Sequence, residues 1–324
     1  MFAVYADKPD RHDPLNALVV GEQSAPEERE GWIRVRMQAA SLNWHDLWTL
    51  MGLGAENGRP ERFPMILGCD GVGTLEDGTP VVIYPVIGNP DWKRDETLDP
   101  DRNTLSEWHQ GTLADLALVP RRNAVRLPAG LSVRHAAVLG ASWITAYRML
   151  FTHSGLRAGQ TMLVQGASGG VSTALIQMGR AAGMRVWVAG RGEDKLATAR
   201  ELGAHRTFAS NEPLSESVDA VFDPVGAATW AHSLASVCAG GTIVVCGIPS
   251  GNHPPLDIAR VFIDQITIKG VYAGTLDEFH DMLNFITSAG ITPHVGHVFP
   301  MDQAAEGIRM MAEGRMAGKI VLMR

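Results

Sequence analysis

Residues Thr161 to Lys195 read TMLVQGASGGVSTALIQMGRAAGMRVWVAGRGEDK. The segment begins with a short apolar run, Thr161 to Gln165, and continues into a glycine-rich turn, Gly166 to Gly170. A helical pattern follows the turn, because apolar side chains recur at spacings of three and four: Val171, Ala174, Leu175, Met178 and Ala182. Gly183 ends that helix, and a second β-rich run covers Arg185 to Ala189. The segment therefore predicts a strand, a turn, a helix and a second strand.

This order of elements is the setting in which a glycine-rich turn binds a dinucleotide. Glycines let the backbone turn tightly and approach a pyrophosphate closely. The pyrophosphate then accepts hydrogen bonds from the free N–H groups at the start of the following helix. A glycine cluster alone is weak evidence, but here the flanking strands and the helix also fit. The turn from Gly166 to Gly170 is therefore predicted to bind a dinucleotide.

The residues after the second strand indicate which dinucleotide is bound. In NAD-binding proteins an acidic side chain about 20 residues beyond the turn holds the ribose 2′-hydroxyl. This chain has Gly190 and Arg191 there, so a guanidinium is present to bind a 2′-phosphate and no carboxylate repels it. Lys195 adds a second positive charge. NADPH is therefore favoured over NADH, although Arg191 and Lys195 are alternatively interpreted as ordinary solvated charges.

The composition is typical of a globular protein, and 324 residues are enough for two domains. A net charge of −7 argues against non-specific binding to nucleic acid or to an anionic membrane surface. The sequence shows neither a secretory signal pattern nor an apolar run near the ~20 residues of a membrane span. The three cysteines lack metal-type spacing, and their odd number does not suggest a disulfide framework, which fits the reducing cytoplasm: Cys69, Cys238 and Cys246. We expect a cytoplasmic protein with no nucleic-acid or membrane partner.

The pattern of predicted strands and helices changes along the chain. Residues 1–124 are rich in short strand patterns, such as Trp32 to Arg36 and Leu116 to Val119. Strands then alternate with helices over residues 125–275, which is typical of a mostly parallel sheet of about six strands with helices on both faces. Residues 276–324 contain two helical patterns and a final strand that have no place in such a sheet. This last part is expected to return to the first domain.

Several motifs together resemble the medium-chain dehydrogenase/reductase superfamily, in particular its zinc-independent, quinone-oxidoreductase-like branch. They lie over nearly the whole chain: Ser41-Leu42-Asn43 with Asp46, Ile66 to Gly73, Thr145-Ala146-Tyr147, the glycine turn, Lys195-Leu196, Leu202-Gly203-Ala204 and Gly318 to Leu322. The resemblance implies an α/β fold in which a Rossmann-type NADP-binding domain, residues 125–275, is inserted into a β-rich GroES-like catalytic domain, residues 1–124 and 276–324. It also implies a homodimer that pairs edge strands, here Ile266 to Tyr272.

The chain departs from the zinc enzymes of this superfamily at the metal-ligand positions. Those enzymes use a cysteine, a histidine and a second cysteine, whereas the matching residues here are Asn43, Cys69 and Ala141. A catalytic zinc needs three protein ligands, so we expect no zinc. The segment Gly88 to Gln110, which corresponds to the structural-zinc lobe, contains no cysteine. Cys69 together with His45 and Asp70 is the remaining alternative for a metal, with a spacing that matches no standard ligand set.

The resemblance also implies where the cofactor is held. The pyrophosphate would meet the glycine turn, the 2′-phosphate would meet the end of the second strand, and the adenine and nicotinamide would meet later loops. The implied contacts are Thr145, Ser168, Gly169, Gly170, Val171, Gly190, Arg191, Lys195, Val225, Cys246, Gly247, Ile248, Tyr272 and Lys319. In the glycine turn, Ser172 replaces the third glycine of the quinone-oxidoreductase-like pattern, and a small side chain is still expected to fit there.

Four residues are the candidates for catalysis. By the resemblance, Asn43 and Thr145 lie near the nicotinamide, and the Asn43 amide is a candidate donor to the carbonyl of the acceptor. His45 can supply a proton near neutral pH, or it is a histidine at the pocket edge without a role. Tyr84 is a candidate hydrogen-bond donor, or alternatively a core residue whose hydroxyl reaches water.

Without a metal to stabilise an alkoxide, hydride transfer from NADPH to a conjugated acceptor is the reaction most easily supported. The protein has to orient the partners, donate a hydrogen bond to the developing oxyanion and exclude water. The expected substrate is therefore an apolar quinone or α,β-unsaturated carbonyl. Two alternatives remain: an alcohol dehydrogenase-like reductase of aldehydes or ketones without zinc, and an NADPH-binding sensor or structural protein with little turnover.

Overall fold

The computed structural model describes residues 1–53 and 62–324, and these residues form two compact units. The first unit comprises Met1–Ser142, Thr275–Leu283 and Val295–Arg324, and the second comprises Trp143–Gly274 and Asn284–His294. The first unit is thus built from both ends of the chain and continues to Ser142, beyond residue 124. Nowhere in these residues is there a helix with the length and apolar character that crossing a bilayer requires.

The N-terminal part of the first unit consists mainly of short strands. They are β1 (Phe2–Ala6), β2 (Leu18–Glu22), β3 (Trp32–Ser41), β4 (Met65–Ile66), β5 (Val72–Thr74), β6 (Pro80–Ile83), β7 (Val86–Ile87), β8 (Asn103–Thr104), β9 (Leu116–Pro120) and β10 (Ala124–Arg126). Two helices belong to the same part, α1 (Trp44–Met51) and α2 (Val133–Ala136). Strands this short need packing partners, which the C-terminal part of the chain supplies.

The second unit alternates strands with helices, as the sequence predicts. In chain order its elements are α3 (Ile144–Tyr147), β11 (Thr161–Gln165), α4 (Gly170–Ala181), β12 (Arg185–Gly190), α5 (Glu193–Glu201), β13 (Arg206–Ala209), β14 (Val218–Asp223), α6 (Ala227–Ser236), β15 (Val237–Val245), α7 (Ile258–Ile263) and β16 (Thr267–Gly270). Two π-helical segments, Leu139–Trp143 and Arg148–His153, flank α3.

The strands of the second unit form a six-stranded parallel sheet in the order β13-β12-β11-β14-β15-β16. All five residues of β11 are buried, which explains why this strand is a continuous apolar run and not an alternating one. The strand order reverses between β11 and β14. In such sheets the ligand binds beyond the carboxyl ends of the two strands at that point. The predicted Rossmann-type sheet of about six strands is therefore confirmed.

The chain ends with α8 (Leu276–Ser288), β17 (Val295–Pro300), α9 (Ala304–Ala312) and β18 (Lys319–Met323). Strand β18 pairs antiparallel with β3 and parallel with β17, so the last strand joins the sheet of the first unit. Ala304, Ile308 and Met311 of α9 lie in one buried apolar cluster with Leu47 and Leu50 of α1. Strands β17 and β18 and helix α9 thus pack with the N-terminal strands, whereas Asn284–His294 belongs to the second unit.

Candidate functional site

The glycine turn of the second unit has the geometry that a pyrophosphate requires. Gly166 adopts a φ of +80°, which favours glycine, and its N–H donates to the Ala189 carbonyl at 2.7 Å. Helix α4 begins directly after Gly169, and no side chain caps its first turn. A Cβ at Gly169 would meet only the Ser172 hydroxyl, at 3.7 Å, so the space above this glycine is open. The free N–H groups of α4 therefore face a place that an anion can occupy.

Ser172 fits in place of the third glycine. Its side chain is buried, and its hydroxyl donates to the Gln165 carbonyl at 3.2 Å, at the end of β11. The bond satisfies the hydroxyl inside the protein and joins α4 to the strand that precedes the turn. The small serine therefore keeps the close helix–strand approach that the third glycine provides in related turns.

Three of the predicted cofactor residues, Val225, Gly247 and Ile248, lie beyond the carboxyl ends of the strands, as the glycine turn does. A Cβ at Gly166 would lie 3.3 Å from Val225 Cγ2, which shows that the glycine turn and the loop after β14 are neighbours. Gly226 packs closely against the backbone of Gly247 and Ile248, the loop after β15. Ile248 is 50% exposed, as expected for an apolar side chain available to a ligand. The structure thus brings the glycine turn together with Val225, Gly247 and Ile248.

The predicted 2′-phosphate site lies where β12 meets α5. A Cβ at Gly190 would come within 2.7 Å of Ala167 Cβ, so this position needs glycine for the strand to approach the turn. Arg191 is exposed directly after the strand, and Lys195 lies in the first part of α5. The first turn of α5 also carries Glu193, whose carboxylate pairs with Arg200. A guanidinium is therefore available beside the turn.

Other predicted cofactor residues are placed less directly. Burial raises the pKa of the Cys246 thiol to about 12, with the Asp223 carboxylate as the second cause, so this cysteine remains a neutral apolar group. Thr145 lies on α3, which packs against α4. Tyr272 follows β16. The side chains of Thr145 and Tyr272 are both partly exposed. Their contacts to a cofactor stay predictions.

Asn43 is the centre of a buried hydrogen-bond cluster in the first unit. Its Nδ2 donates to the Asp70 carboxylate at 3.1 Å and to the Ser41 carbonyl at 3.2 Å. Its Oδ1 accepts from Lys319 Nζ at 2.6 Å and from the Ser142 hydroxyl at 3.3 Å. Both amide hydrogens are thus in use. This arrangement argues against the predicted donation from Asn43 to a substrate carbonyl and favours a positioning role.

Lys319 is 1% exposed and belongs to the same cluster. Its Nζ donates to the Leu42 carbonyl and to Asn43 Oδ1, both at 2.6 Å, and lies 3.9 Å from Asp70 Oδ2. The strand register explains this position, because Val321 of β18 is paired with Ser41 of β3 and the same antiparallel register places residue 319 opposite residue 43. These contacts within the first unit argue against the predicted contact between Lys319 and the cofactor.

Asp46 fixes the start of α1. Its carboxylate accepts from the backbone N–H of Asn43 and from that of Gly68, both at 2.8 Å. Gly68 has a φ of +91°, and a Cβ there would meet the Thr112 hydroxyl at 2.5 Å, so this tight contact requires glycine. Burial raises the pKa of Asp46 above its usual value. The aspartate therefore joins α1 to the loop that carries Cys69 and Asp70.

His45, the second residue of α1, pairs with a carboxylate that the sequence did not single out. Its Nε2 lies 3.1 Å from Glu107 Oε1 and 3.4 Å from the Thr104 hydroxyl. The backbone N–H of Thr104 donates to the other oxygen of Glu107 at 3.1 Å. The side chains of His45 and Glu107 are only 18% and 7% exposed. A carboxylate beside one ring nitrogen holds the imidazole in one orientation.

Tyr84 is fully buried, and its hydroxyl donates to Glu96 Oε1 at 3.1 Å. The same oxygen accepts from the backbone N–H of Leu276 at 2.7 Å. Burial raises the pKa of Tyr84 well above its usual value. The tyrosine ring also packs against Phe279 of α8. These contacts favour the core interpretation of Tyr84 and argue against its predicted role in catalysis.

Comparisons with known proteins agree with this architecture. Residues 29–129 match the alcohol dehydrogenase GroES-like domain, and residues 170–288 match the zinc-binding dehydrogenase family. A solved NAD-dependent alcohol dehydrogenase superimposes with a TM-score of 0.92 at 31% identity, covering 100% of both chains. The chain belongs to the medium-chain dehydrogenase/reductase superfamily. As a member of this superfamily it is an NAD(P)-dependent oxidoreductase.

Two curated relatives align with this dehydrogenase/reductase over almost the whole length of both proteins. A zinc-type alcohol dehydrogenase-like protein of Schizosaccharomyces pombe is 28% identical over 96% of this chain and 97% of its own. An acryloyl-coenzyme A reductase of Metallosphaera sedula is 27% identical over 94% of this chain and 95% of its own. The relatives thus include a protein named for zinc and a reductase named for an activated alkene.

The residues of this dehydrogenase/reductase do not fit a catalytic zinc. Ala141 has no donor atom, and both acceptor positions of Asn43 Oδ1 are used. Cys69 is the one thiol among the three positions, whereas a catalytic zinc needs three protein ligands. Within residues 1–53 and 62–324, no three side chains of histidine, cysteine, aspartate or glutamate are grouped to hold a metal.

Sequence reasoning missed one polar network in the second unit of this dehydrogenase/reductase. The Asp223 carboxylate, at the end of β14, accepts from the backbone N–H groups of Val225 and Gly226 at 2.9 and 3.0 Å. It also accepts from the hydroxyls of Thr229 and Ser233. Asp223 therefore shapes the loop that places Val225 beside the glycine turn. An aspartate at the carboxyl end of a predicted strand, followed by Pro-Val-Gly, is the sequence signal from which this network could have been predicted.

Proposed function

We propose that this protein uses NADPH to reduce a quinone or an α,β-unsaturated carbonyl by hydride transfer, without a metal. The observation that carries the proposal is the glycine turn with its uncapped helix and neighbouring Arg191, combined with a first unit whose metal-ligand positions hold Asn43, Cys69 and Ala141. The first feature supports a phosphorylated dinucleotide. The second leaves the chemistry to the cofactor and to polar side chains.

The preference for NADPH is supported by charge at one place. Arg191 is exposed at the carboxyl end of β12, where NAD-binding proteins carry a carboxylate for the ribose hydroxyls. A guanidinium binds a phosphate through two parallel hydrogen bonds, which a hydroxyl cannot replace. Glu193 is already paired with Arg200, so its charge is partly compensated.

The side chains of the first unit suit a conjugated acceptor. When bound, NADPH supplies the hydride, and the reduced acceptor then needs a proton. His45 is the candidate donor, because an imidazole can transfer a proton near neutral pH and Glu107, 3.1 Å from its Nε2, holds the ring in place. Asn43, Lys319 and Asp70 hold the start of α1, on which His45 lies. The alkene-reducing relative from Metallosphaera sedula supports this choice of acceptor.

An aldehyde or ketone reductase without zinc is the second candidate. The similarity to a solved alcohol dehydrogenase and to a zinc-type relative favours it. A simple carbonyl, however, develops a full alkoxide charge during reduction, and the zinc enzymes stabilise that charge with the metal. A conjugated acceptor spreads the same charge over more atoms, which is why it is preferred here.

We also propose that the protein is a cytoplasmic homodimer formed through β16. This strand forms one edge of the sheet, and the side chain of Ile268 on β16 is 37% exposed. The preceding helix α7 exposes Phe262 and Ile263 by 67% and 65%. Exposed apolar side chains beside an open strand edge are a surface for pairing with a second copy. Cys69, Cys238 and Cys246 are all free thiols, which is consistent with a reducing compartment.

The test measures NADPH oxidation by the purified protein with a panel of quinones, enones, aldehydes and ketones. Turnover of the conjugated acceptors, at least about tenfold faster in kcat/KM than of simple aldehydes and ketones, is expected. A preference for aldehydes or ketones selects the second candidate. Tight NADPH binding without turnover of any acceptor would make the protein a sensor or structural protein. Elemental analysis in the same preparation must find less than a stoichiometric amount of zinc.

A further inference from the structure

A groove on the first unit contains none of the residues assigned to the cofactor or to catalysis. Its volume is about 290 Å³, and a neighbouring hollow of about 380 Å³ shares Arg62 and Leu118 with it. Small ligands bind in clefts from about 300 Å³ upwards. The lining of the smaller groove includes one carboxylate, two guanidiniums and three aromatic rings: Glu27, Arg29, Arg62, Trp32, Trp108 and His109.

A tight turn after β8 builds the aromatic wall of this groove. Ser106 has a φ of +69°, and its backbone N–H donates to the His109 carbonyl at 2.8 Å. Within the turn, Glu107 pairs with the candidate catalytic histidine, whereas Trp108 and His109 line the groove. The ring centroids of His109 and Trp32 lie 4.7 Å apart, with the two planes at 64°. The backbone and the start of β3 therefore hold these rings together.

The two guanidiniums of the groove have no acidic partner among residues 1–53 and 62–324. Arg29 and Arg62 are both exposed, and neither forms an ion pair with a carboxylate of these residues. Arg29 Cζ lies 4.3 Å from the centroid of the Trp32 ring. A guanidinium over an aromatic face keeps its N–H donors available for an anion. Glu27 is the one carboxylate in the lining, so the groove carries one net positive charge.

His109 adds a neutral polar group to this wall. Burial, with the charges of Arg29 and Arg62, lowers its pKa to about 4. The imidazole is therefore neutral at pH 7, and one of its ring nitrogens carries a hydrogen that an anion can accept. The chain as a whole has a net charge of −7, so the positive charge of the groove is local.

We propose that this groove binds a small aromatic carboxylate, with the ring against the aromatic wall and the carboxylate on Arg29 and Arg62. A flat ring buries apolar surface against Trp108 and His109. A carboxylate accepts paired N–H bonds from a guanidinium. One net positive charge matches a monoanion better than a phosphate, which is close to a dianion at pH 7. The site is independent of the proposed reduction, because it shares no residue with the cofactor and catalytic positions.

Isothermal titration calorimetry of the whole chain with 2-naphthoate provides the test. The matched ligand is 2-naphthamide, which has nearly the same shape and no charge. The double variant Arg29→Gln/Arg62→Gln removes both guanidiniums from the groove. Arg36→Gln is the matched control, because Arg36 is an exposed arginine on the same strand as Trp32 and does not line the groove.

We expect wild-type protein to bind naphthoate with a dissociation constant on the order of 0.1 mM. Loss of both guanidiniums, or of the charge on the ligand, should weaken binding at least about tenfold. Arg36→Gln should leave the affinity unchanged. Equal naphthoate affinity in the double variant and the wild type would overturn the proposal. Equal affinity of the wild type for naphthoate and naphthamide, or no binding of naphthoate, would overturn it as well.

Two further measurements locate the ligand and define its class. In NMR spectra of protein with labelled histidines, naphthoate should shift the His109 signal, which is identified by its absence in His109→Phe. Binding without a shift of that signal would overturn the assignment to this groove. Tighter binding of 2-naphthyl phosphate than of naphthoate would overturn the preference for a monoanion. Naphthoate binding by a preparation that reduces no acceptor would support the groove and contradict only the proposed function.

Discussion

The imidazole Nε2 of His45 and the carboxylate Oε1 of Glu107 lie 3.1 Å apart, although the two residues are 62 positions apart in the sequence. Thr104 contacts both partners, through its hydroxyl to His45 and through its backbone N–H to Glu107. Thr49, one turn after His45 on α1, donates to the Ser106 carbonyl at 3.1 Å and fastens the two segments together. The pair is therefore held by its surroundings, which is what a positioned proton donor requires.

Glu107→Gln is expected to lower kcat for acceptor reduction about tenfold, because the amide no longer stabilises the imidazolium while the side chain keeps its shape. His45→Gln should cost about 100-fold, and the double variant should be no slower than His45→Gln alone. Steady-state kinetics with saturating NADPH provides the measurement. Additive losses in the double variant would show that Glu107 does not act through His45.

Gly169→Ala and Gly190→Ala are expected to fail in different ways. A Cβ at Gly169 meets only Ser172 Oγ at 3.7 Å, so this variant should fold normally and bind NADPH about tenfold more weakly, since the methyl group fills the space for the pyrophosphate. A Cβ at Gly190 would meet Ala167 Cβ at 2.7 Å, so this variant should lose about 1–3 kcal/mol of stability. Fluorescence titration and thermal unfolding distinguish the two. Unchanged affinity in Gly169→Ala would argue against the proposed phosphate position.

Arg191→Ala is expected to weaken NADPH binding by about 10- to 100-fold and NADH binding by less than about threefold, because only NADPH carries the 2′-phosphate. Arg157→Ala provides a matched control, since this exposed arginine precedes β11 and so lies at the opposite end of the strand from the glycine turn. It should change neither affinity. An equal loss for both cofactors in Arg191→Ala would rule out the guanidinium as a phosphate ligand.

His109 is expected to make the protein less stable in acid. Burial, with the charges of Arg29 and Arg62, lowers the pKa of His109 to about 4, whereas the unfolded chain titrates near 6.5. The unfolded state therefore gains a proton that the folded state does not, and stability falls as the pH drops from about 6.5 to about 4.

The ring centroids of His109 and Trp32 lie 4.7 Å apart. The variant His109→Phe keeps an aromatic ring against Trp32 but has no group that gains a proton. The loss of stability between pH 7 and pH 4.5 should be smaller than in the wild type by on the order of 1 kcal/mol, allowing for partial exposure. Denaturant unfolding at both pH values measures this. An identical pH dependence in both proteins would contradict the expected role of His109.

Much of the second unit was predictable, because local patterns determine it. The apolar run at Thr161–Gln165, the glycine turn and the helix after it appear in the structure as β11 and α4 with nearly the predicted limits. The predicted strand at Ile266 is shorter in the structure, Thr267–Gly270, since the edge of a sheet has a pairing partner on one side only. The strand β17, by contrast, was not predicted, because its residues alternate weakly and pairing with β18 selects the extended state.

The candidate site of the first unit was predictable only as a list of residue types. Asn43, His45 and Asp46 stood out as polar groups in one motif, but their partners come from distant parts of the chain. Glu107 had no local signal, and its pairing with His45 depends on how the segment after β8 lies on α1. The use of both Asn43 amide hydrogens likewise depends on Asp70. Three-dimensional contacts, and not local sequence, determine which donors remain available.

The pairing of β18 with β3 also determines when this cluster can form during synthesis. Lys319 and Asn43 are separated by 276 positions, so the ammonium leaves the ribosome long after its partner. At about 5–20 residues per second that interval lasts on the order of tens of seconds. Asp70 has no lysine to neutralise it until Lys319 has been added, whereas the strands β11 to β16 are complete once Gly270 has been added. The parallel sheet is therefore expected to fold on the nascent chain before the first unit closes around its buried lysine.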